Sequence, residues 1–291
     1  MDVGRFEGFT TADGRRLTYW VDGRGPILVC HPGGPGASTG AEFLDFCGLA
    51  DHLTLVKFNP KGVGGSDRPQ DKNAYSLADY AGDLESLRQH LGTERFSIFG
   101  HSHGGKVAIT YALSFPDRVD RLVLSGTPVK HYKDQQQETM RIAMSHQHEP
   151  WFPPAWRAAQ LVLADKWSTE EELGRLMIEA MPLAFGCFGD REVAALRAGH
   201  EAFLHPNGDA QRYVPPPGES ELMEALSQIH IPALVFHGTA DPLVSSRNAV
   251  EIGARIHGAR VVMLEGVGHA FPWEEARERM RDELLAFFER A

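Results

Sequence analysis

Long apolar runs are absent from this chain of 291 residues. None approaches the roughly 20 consecutive apolar residues of a membrane-spanning helix, and the first residues, MDVGRFE, lack the apolar stretch of a secretory signal peptide. Cysteine is scarce as well, since Cys30, Cys47 and Cys187 are an odd number among apolar or small neighbours. That pattern is typical of reduced thiols rather than of a disulfide framework. These absences predict a cytoplasmic protein with no membrane partner.

Positively charged residues are also few, and metal-binding motifs are absent. The chain has 29 Lys and Arg against 39 Asp and Glu, a net charge of −10, which argues against nucleic acid or an anionic membrane as a partner. Among the 14 histidines there is no H-E-x-x-H motif and no carboxylate–histidine cluster. His101 and His103 should point apart. We therefore expect no metal and no cofactor, and the sequence leaves the oligomeric state open.

The most informative feature is a G-x-S-x-G motif at residues 100–104, centred on Ser102. Residues 95–100 predict a short strand before it, and residues 106–113 have the spacing of a helix after it. A serine in a sharp turn between strand and helix presents its Oγ above the sheet, where the helix N-terminus favours developing negative charge. A glycine-rich turn with an unreactive serine would share the pentapeptide, so the rest of the chain decides.

A nucleophilic serine needs a histidine base and an acid that orients the base. Residues 231–236 predict a buried strand, and Asp241 lies in the loop that follows it. Residues 260–264 predict the next strand, which leads to His269. Because ligand sites in open α/β sheets gather at the carboxyl ends of the strands, these side chains can converge with the serine. The order Ser, acid, His is that of α/β-hydrolases.

Asp241 is the predicted acid of this triad. Some related hydrolases take the acid from the loop after the preceding strand, predicted at residues 121–125, but here that loop has no carboxylate. Glu265, four residues before His269, is a distant second candidate that is more typical of a solvated loop charge.

Backbone N–H groups for an oxyanion hole are predicted next to these residues. Residues 26–30 predict an early strand, and the loop HPGGPG follows at residues 31–36. The prolines of this loop have no N–H, so the available donors are Gly33 and Gly34. We expect the N–H of Gly34 to act with the N–H of His103. The alternative is a tight loop that only connects strand and helix.

Four stretches together resemble α/β-hydrolases of the proline iminopeptidase-like group, or prolyl aminopeptidases. They are PGGPG at 32–36, the turn at Ser102, GTAD at 238–241 and GH at 268–269. The resemblance spans nearly the whole chain. It implies an α/β-hydrolase fold, with a mostly parallel sheet, helices on both faces and an inserted helical cap. It also implies removal of N-terminal proline from peptides.

Two loops depart from the pattern of that group. Pro32 replaces the histidine of its His-Gly-Gly-Pro-Gly, with His31 one place earlier. Asn59 and Lys61 stand where its Asp-x-Arg-Gly-x-Gly-x-Ser loop has Asp and Arg, and His103 follows the serine instead of Trp or Tyr. These departures leave the hydrolase machinery in place but weaken the case for an aminopeptidase.

Strand patterns stop after residue 128 and return near residue 229. Residues 1–128 alternate short apolar runs with helical stretches, as a sheet covered by helices does. Residues 129–228 show helical segments rich in Trp and Met, without strand patterns. We predict that residues 1–128 and 229–291 form the hydrolase core and that residues 129–228 form a helical cap. Most of these Trp and Met side chains are typical of packing between cap and core.

The predicted reaction is acyl transfer from a small molecule or short peptide to water, through an acyl-enzyme on Ser102. An iminopeptidase would need cap carboxylates to hold the substrate ammonium group. Candidates are Glu149, Glu179, Glu192 and Glu201, although most should be solvated charges. A small ester or lactone hydrolase is the alternative. From another class, the fold could serve a cofactor-free lyase or oxygenase, or a ligand receptor that keeps the triad.

Overall fold

A computed structural model describes residues 4–37, 46, 48–199, 205–215, 221–270 and 276–289. Its centre is one sheet of eight strands, in the order β1-β2-β4-β3-β5-β6-β7-β8. The strands are Arg5–Thr10 (β1), Arg16–Gly23 (β2), Ile27–His31 (β3), Thr54–Asn59 (β4), Phe96–His101 (β5), Val119–Ser125 (β6), Ala233–Gly238 (β7) and Arg260–Leu264 (β8). β2 pairs antiparallel with β1 and β4, and every other pairing is parallel. The predicted mostly parallel sheet is confirmed.

The five predicted strands of the parallel part are confirmed, with bounds that differ by at most two residues. β3 and β7 begin later than predicted, directly after Pro26 and Pro232, because proline has no N–H to donate to a sheet ladder. Both faces of the central strands are buried, which is why their sequences are continuous apolar runs.

Helices cover both faces of the sheet. The α-helices of the described residues are Leu77–His90 (α1), His103–Ser114 (α2), Gln135–Met144 (α3), Phe152–Leu163 (α4), Glu170–Ala180 (α5), Asp190–Gly199 (α6), Gly208–Arg212 (α7), Leu222–Ala225 (α8), Arg247–Arg255 (α9) and Arg277–Glu289 (α10). Side chains of α1, α2 and α9 share one apolar cluster with Val29, Ile98 and Val235 of the sheet. Side chains of α10 share a second cluster with the alternate residues Leu28, Phe99 and Leu234. Among the described helices, none has the length and apolarity to cross a membrane.

Between β6 and β7, the described residues form only helices and loops, in agreement with the absence of strand patterns there. We call residues 129–228 the helical segment. It contains an apolar cluster of its own, formed by Ala143, Phe152, Ala155 and Leu183, with Trp151 and Trp156 packed against it. The division into a core and a cap at residues 128 and 228 stays a prediction.

Neither Cys30, which is buried, nor Cys187, which is exposed, forms a disulfide within the described part of the chain. Cys47 lies outside the described residues.

Candidate active site

Ser102 occupies the turn between β5 and α2. Its backbone has φ 50° and ψ −117°, a conformation that residues other than glycine rarely adopt. The turn is held by the Ser102 N–H, which donates to the Ser125 carbonyl at the end of the neighbouring strand β6 at 2.8 Å. Ser102 is partly exposed at the carboxyl edge of the sheet. The strained turn predicted from the motif is therefore present.

The glycines on either side of Ser102 are required by close backbone approaches. A Cβ atom at Gly100 would lie 2.4 Å from the Gly104 carbonyl oxygen, because the helix folds back over the strand. A Cβ atom at Gly104 would lie 2.4 Å from the Pro32 carbonyl oxygen. Both distances are far shorter than any contact between carbon and oxygen that a side chain tolerates. The second contact also brings the glycine-rich loop after β3 against the Ser102 turn.

Asp241 and His269 form a hydrogen-bonded pair at the ends of β7 and β8. His269 Nδ1 lies 2.7 Å from Asp241 Oδ2. The other carboxylate oxygen, Oδ1, accepts from the backbone N–H groups of Leu243 at 2.8 Å and Val244 at 2.9 Å. Asp241 is only 2% exposed, so its carboxylate is fixed through both oxygens in a buried site. Glu265, the second candidate, is exposed.

A second histidine, His237, also faces this carboxylate. Its Nε2 lies 3.4 Å from Asp241 Oδ2 and 3.0 Å from the Val244 carbonyl oxygen. Burial alone would raise the pKa of Asp241, but the rings of His269 and His237 more than offset this and hold the pKa below its ordinary value. The carboxylate therefore stays ionised throughout the neutral range. Sequence reasoning missed His237, although its place at the end of β7, four residues before Asp241, was a usable signal.

His101 connects the histidine–aspartate pair to the Ser102 turn. It is the residue directly before Ser102, and its ring centroid lies 4.7 Å from that of His269. Its Nδ1 lies 3.2 Å from Ser125 Oγ, which fixes the ring on the β6 side. The Asp241–His269 pair thus lies at the same edge of the sheet as the Ser102 turn. His103 packs instead against the Tyr80 ring, nearly perpendicular to it and 5.2 Å away between centroids, so the two histidines point apart as predicted.

The helical segment is bonded to the backbone of the His269 loop. The N–H groups of His269 and Ala270 both donate to the Ala184 carbonyl, at 2.6 and 3.0 Å. Gly268 allows this approach, since a Cβ atom there would lie 2.4 Å from the same oxygen and 2.4 Å from the N atom of Gly186. His269 is therefore oriented through its side chain by Asp241 and through its backbone by the helical segment.

The loop HPGGPG connects β3 to the site. Gly34 has φ +112°, a conformation open to glycine alone, and the Gly34–Pro35 peptide bond is cis. His103 is the first residue of α2, so its N–H belongs to the unsatisfied first turn of a helix. The assignment of these two N–H groups to an oxyanion hole stays a prediction.

A sequence profile described as alpha/beta hydrolase fold matches residues 26–276. The chain belongs to this family. The match includes β3 to β8 and every residue of the predicted site.

Named relatives of this hydrolase include peptidases, and its structural neighbours include esterases and a lactonase. The proline iminopeptidase of Lactobacillus delbrueckii subsp. bulgaricus is 27% identical over an alignment of 298 positions, gaps included, which covers 93% of each chain. The crystal structure of an esterase from Rhodococcus sp. ECU1013 superposes with a TM-score of 0.75 at 21% identity, over 98% of each chain. The crystal structure of the enol-lactonase from Burkholderia xenovorans LB400 superposes with a TM-score of 0.72 at 22% identity, over 97% of this chain and 100% of the other. The resemblance to the iminopeptidase-like group is confirmed, and the two structures show the shared fold.

The residues that depart from the iminopeptidase pattern have structural partners in this hydrolase. Asn59 Nδ2 donates to Thr18 Oγ1 at 3.1 Å and to the Gly64 carbonyl at 3.2 Å. Lys61 is 1% exposed, and its Nζ lies 3.0 Å from Asp83. Burial lowers the pKa of Lys61, and the Asp83 carboxylate opposes that effect. Both residues brace the loop after β4.

Three buried histidines around the site should make the hydrolase lose stability below neutral pH. Burial lowers the pKa of His31 to about 4 and holds those of His101 and His103 well below the ordinary value. As the pH falls from about 6.5 to about 4, these histidines bind protons in the unfolded chain but not in the folded chain. The free energy of unfolding therefore decreases. From about pH 7.5 to pH 5, His31 alone should account for about 2 kcal/mol.

Urea unfolding at the two pH values measures this loss. His31→Gln should reduce the difference between the two pH values, since glutamine does not titrate. A free energy of unfolding that is equal at both values in the unmodified protein would contradict the buried, neutral state of these rings.

Proposed function

We propose that the protein is a serine hydrolase that uses Ser102, His269 and Asp241 as a catalytic triad and passes through an acyl-enzyme. The observation that carries the proposal is the buried Asp241–His269 hydrogen bond of 2.7 Å, next to a strained serine turn. A carboxylate that accepts from Nδ1 fixes the tautomer in which Nε2 is the basic nitrogen. The contact between His101 and His269 supports the proposal, because it brings the His269 ring beside the residue that directly precedes Ser102.

In the proposed mechanism, His269 Nε2 takes the proton of Ser102 Oγ as the oxygen attacks the substrate carbonyl. Asp241 stabilises the imidazolium that results. Collapse of the tetrahedral intermediate expels the leaving group, which receives the proton from His269. Water then attacks the acyl-enzyme, with His269 again as the base, and releases the acid and free Ser102.

The N–H groups of Gly34 and His103 would stabilise the oxyanion of the tetrahedral intermediate. Their placement on the glycine loop and at the first turn of α2 supports this role, because both elements meet at Gly104. Loss of one such donor typically costs on the order of 10² to 10³ in rate.

For the substrate, we propose removal of N-terminal proline, on the strength of the similarity to proline iminopeptidases and of one buried carboxylate. Glu192 in the first turn of α6 is 7% exposed, and its Oε2 accepts from the Gly189 N–H at 2.9 Å. It follows closely on the stretch whose Ala184 carbonyl binds the His269 loop. A buried carboxylate at this place would suit a substrate ammonium group. Glu149 and Glu179 are exposed, and Glu201 lies outside the described residues.

Hydrolysis of small esters or lactones is the second candidate. It is favoured by the changed loops, since Pro32 replaces the histidine of the iminopeptidase pattern and the loop after β4 carries Asn59 and Lys61. Activated esters need little specific binding, so an esterase assay should be positive for either substrate class.

A comparison of a free prolyl substrate with its N-acetylated form separates the two candidates. For an iminopeptidase, kcat/KM should fall by orders of magnitude on acetylation, because the buried carboxylate would be left without its ammonium partner. Glu192→Gln should raise KM for the free form by at least about tenfold. Glu179→Gln, an exposed carboxylate of the same segment, is the matched control and should change little.

Equal kcat/KM on both forms would overturn the peptidase assignment. The peptidase assignment would also be overturned if the protein hydrolysed a lactone but neither of the two prolyl substrates. Both results would leave the ester or lactone hydrolase.

A further inference from the structure

Asn207 ties the helical segment to two loops at the carboxyl edge of the sheet. Its side chain is 0% exposed. Its backbone N–H donates to the Gly36 carbonyl at 3.0 Å, in the glycine loop after β3. Its side-chain amide donates to the Lys61 carbonyl at 3.1 Å, in the loop after β4, and to Tyr75 Oη at 2.9 Å. One residue thus bonds both loops across more than a hundred residues of sequence.

A glycine in each loop leaves room for Asn207, where any other residue would clash with it. Gly36 has φ +85°, and a Cβ atom there would lie 2.6 Å from the Asn207 carbonyl oxygen. Gly62 has φ +80°, and a Cβ atom there would lie 2.1 Å from Asn207 Nδ2. A second bond from the same segment, donated by the Gln211 side chain, reaches the Pro35 carbonyl. The glycine loop is therefore held from the helical segment at two successive residues.

The loop after β4 extends the connection to the other predicted oxyanion donor. Lys61 places its Nζ 4.7 Å from the centroid of the Tyr80 ring. The Tyr80 ring in turn packs nearly perpendicular to the His103 ring, with 5.2 Å between centroids. Packed side chains therefore link Asn207 to the first residue of α2 as well as to the glycine loop.

We infer that Asn207 is a positioning residue for the oxyanion hole, acting through Gly36 on Gly34 and through the loop after β4 on His103. The inference rests on the proposed function. Two donors from different elements must both lie about 2.7 to 3.1 Å from the oxyanion, and a loop of three glycines has no side chains to fix it. The backbone N–H of Asn207 supplies that constraint from outside the loop, and the buried side-chain amide holds Asn207 in the position from which it donates.

Asn207→Ser isolates this role. A serine retains an oxygen that can accept from the Ala210 N–H, as Asn207 Oδ1 does at 3.2 Å, and so keeps the cap of α7. It keeps the backbone N–H that donates to Gly36 but loses the two amide donations to Lys61 and Tyr75 that hold this N–H in place. Asn248→Ser is the matched control, because Asn248 is also 0% exposed and also bonds the helical segment, through the N–H groups of Val129 and Lys130.

The readouts are steady-state kinetics on p-nitrophenyl acetate and amide hydrogen exchange of the peptide that contains residues 33–37. In Asn207→Ser we expect kcat to fall at least about tenfold with little change in KM, and exchange in that peptide to accelerate. The midpoint of thermal unfolding should fall by a similar amount in both variants. In Asn248→Ser, however, neither kcat nor the exchange of that peptide should change.

Unchanged exchange in Asn207→Ser, or faster exchange with an unchanged kcat, would overturn the positioning role. Equal falls of kcat in both variants would overturn it too, since the effect would then follow lost stability. Ser102→Ala measured in parallel separates the two proposals. If the turnover of the unmodified protein survives Ser102→Ala, the proposed function fails and the role of Asn207 fails with it.

Discussion

Ser102→Ala should abolish hydrolysis of p-nitrophenyl acetate while leaving the midpoint of thermal unfolding nearly unchanged. The expected loss in kcat is on the order of 10⁶, the size seen when a triad serine is removed from a serine protease. Alanine keeps the Cβ atom, so the strain of the turn at φ 50° is the same in both proteins. Ser102 is also only partly buried, and loss of its hydroxyl removes reactivity rather than packing.

Ser114→Ala is the control for this substitution. Ser114 is the last residue of the same helix, α2, and is exposed. Its variant should keep full activity and an unchanged midpoint. If Ser102→Ala retained a tenth of the activity, the nucleophile would be another group.

Asp241→Asn should cost about 10⁴ in kcat, the second largest effect that we expect. The asparagine oxygen must face the N–H groups of Leu243 and Val244, because both are donors. Its NH₂ group is then directed at His269 Nδ1, which has to become an acceptor. The proton of the ring moves to Nε2, and the ring can no longer take the proton of Ser102.

Glu265→Gln should change kcat little, because Glu265 is exposed in the loop after β8. The same steady-state assay ranks the two variants. A larger loss for Glu265→Gln than for Asp241→Asn would transfer the orienting role to Glu265.

The three residues of the proposed triad could be proposed from the sequence because each depends on a local pattern. Ser102 lies in a motif whose glycines are required by contacts within a few residues and with one neighbouring loop. Asp241 and His269 each follow a short apolar run, and such runs predict buried parallel strands well. The sheet then brings the strand ends together, and the Asp241–His269 bond matches the pairing that the order of residues suggested.

The surroundings of these residues could not be predicted, because they depend on contacts between distant segments. Nothing near Asn207 in the sequence indicates that it bonds the loops at Gly36 and Lys61. Likewise, the cap acids were expected to be mostly solvated, and burial of Glu192 depends on how α6 lies against its neighbours. Burial of a polar residue is a property of the packed molecule rather than of a sequence pattern.

The proposed acyl-enzyme can be tested most directly by mass spectrometry of the protein quenched with acid during turnover of p-nitrophenyl acetate. We expect the intact mass to increase by one acetyl group, peptide mapping to place that group on Ser102, and its release to keep pace with turnover. A serine-directed fluorophosphonate should label the same residue and stop the reaction. Continued turnover in a fully labelled protein, or an acetyl group on another residue of a protein that turns over normally, would contradict the proposal.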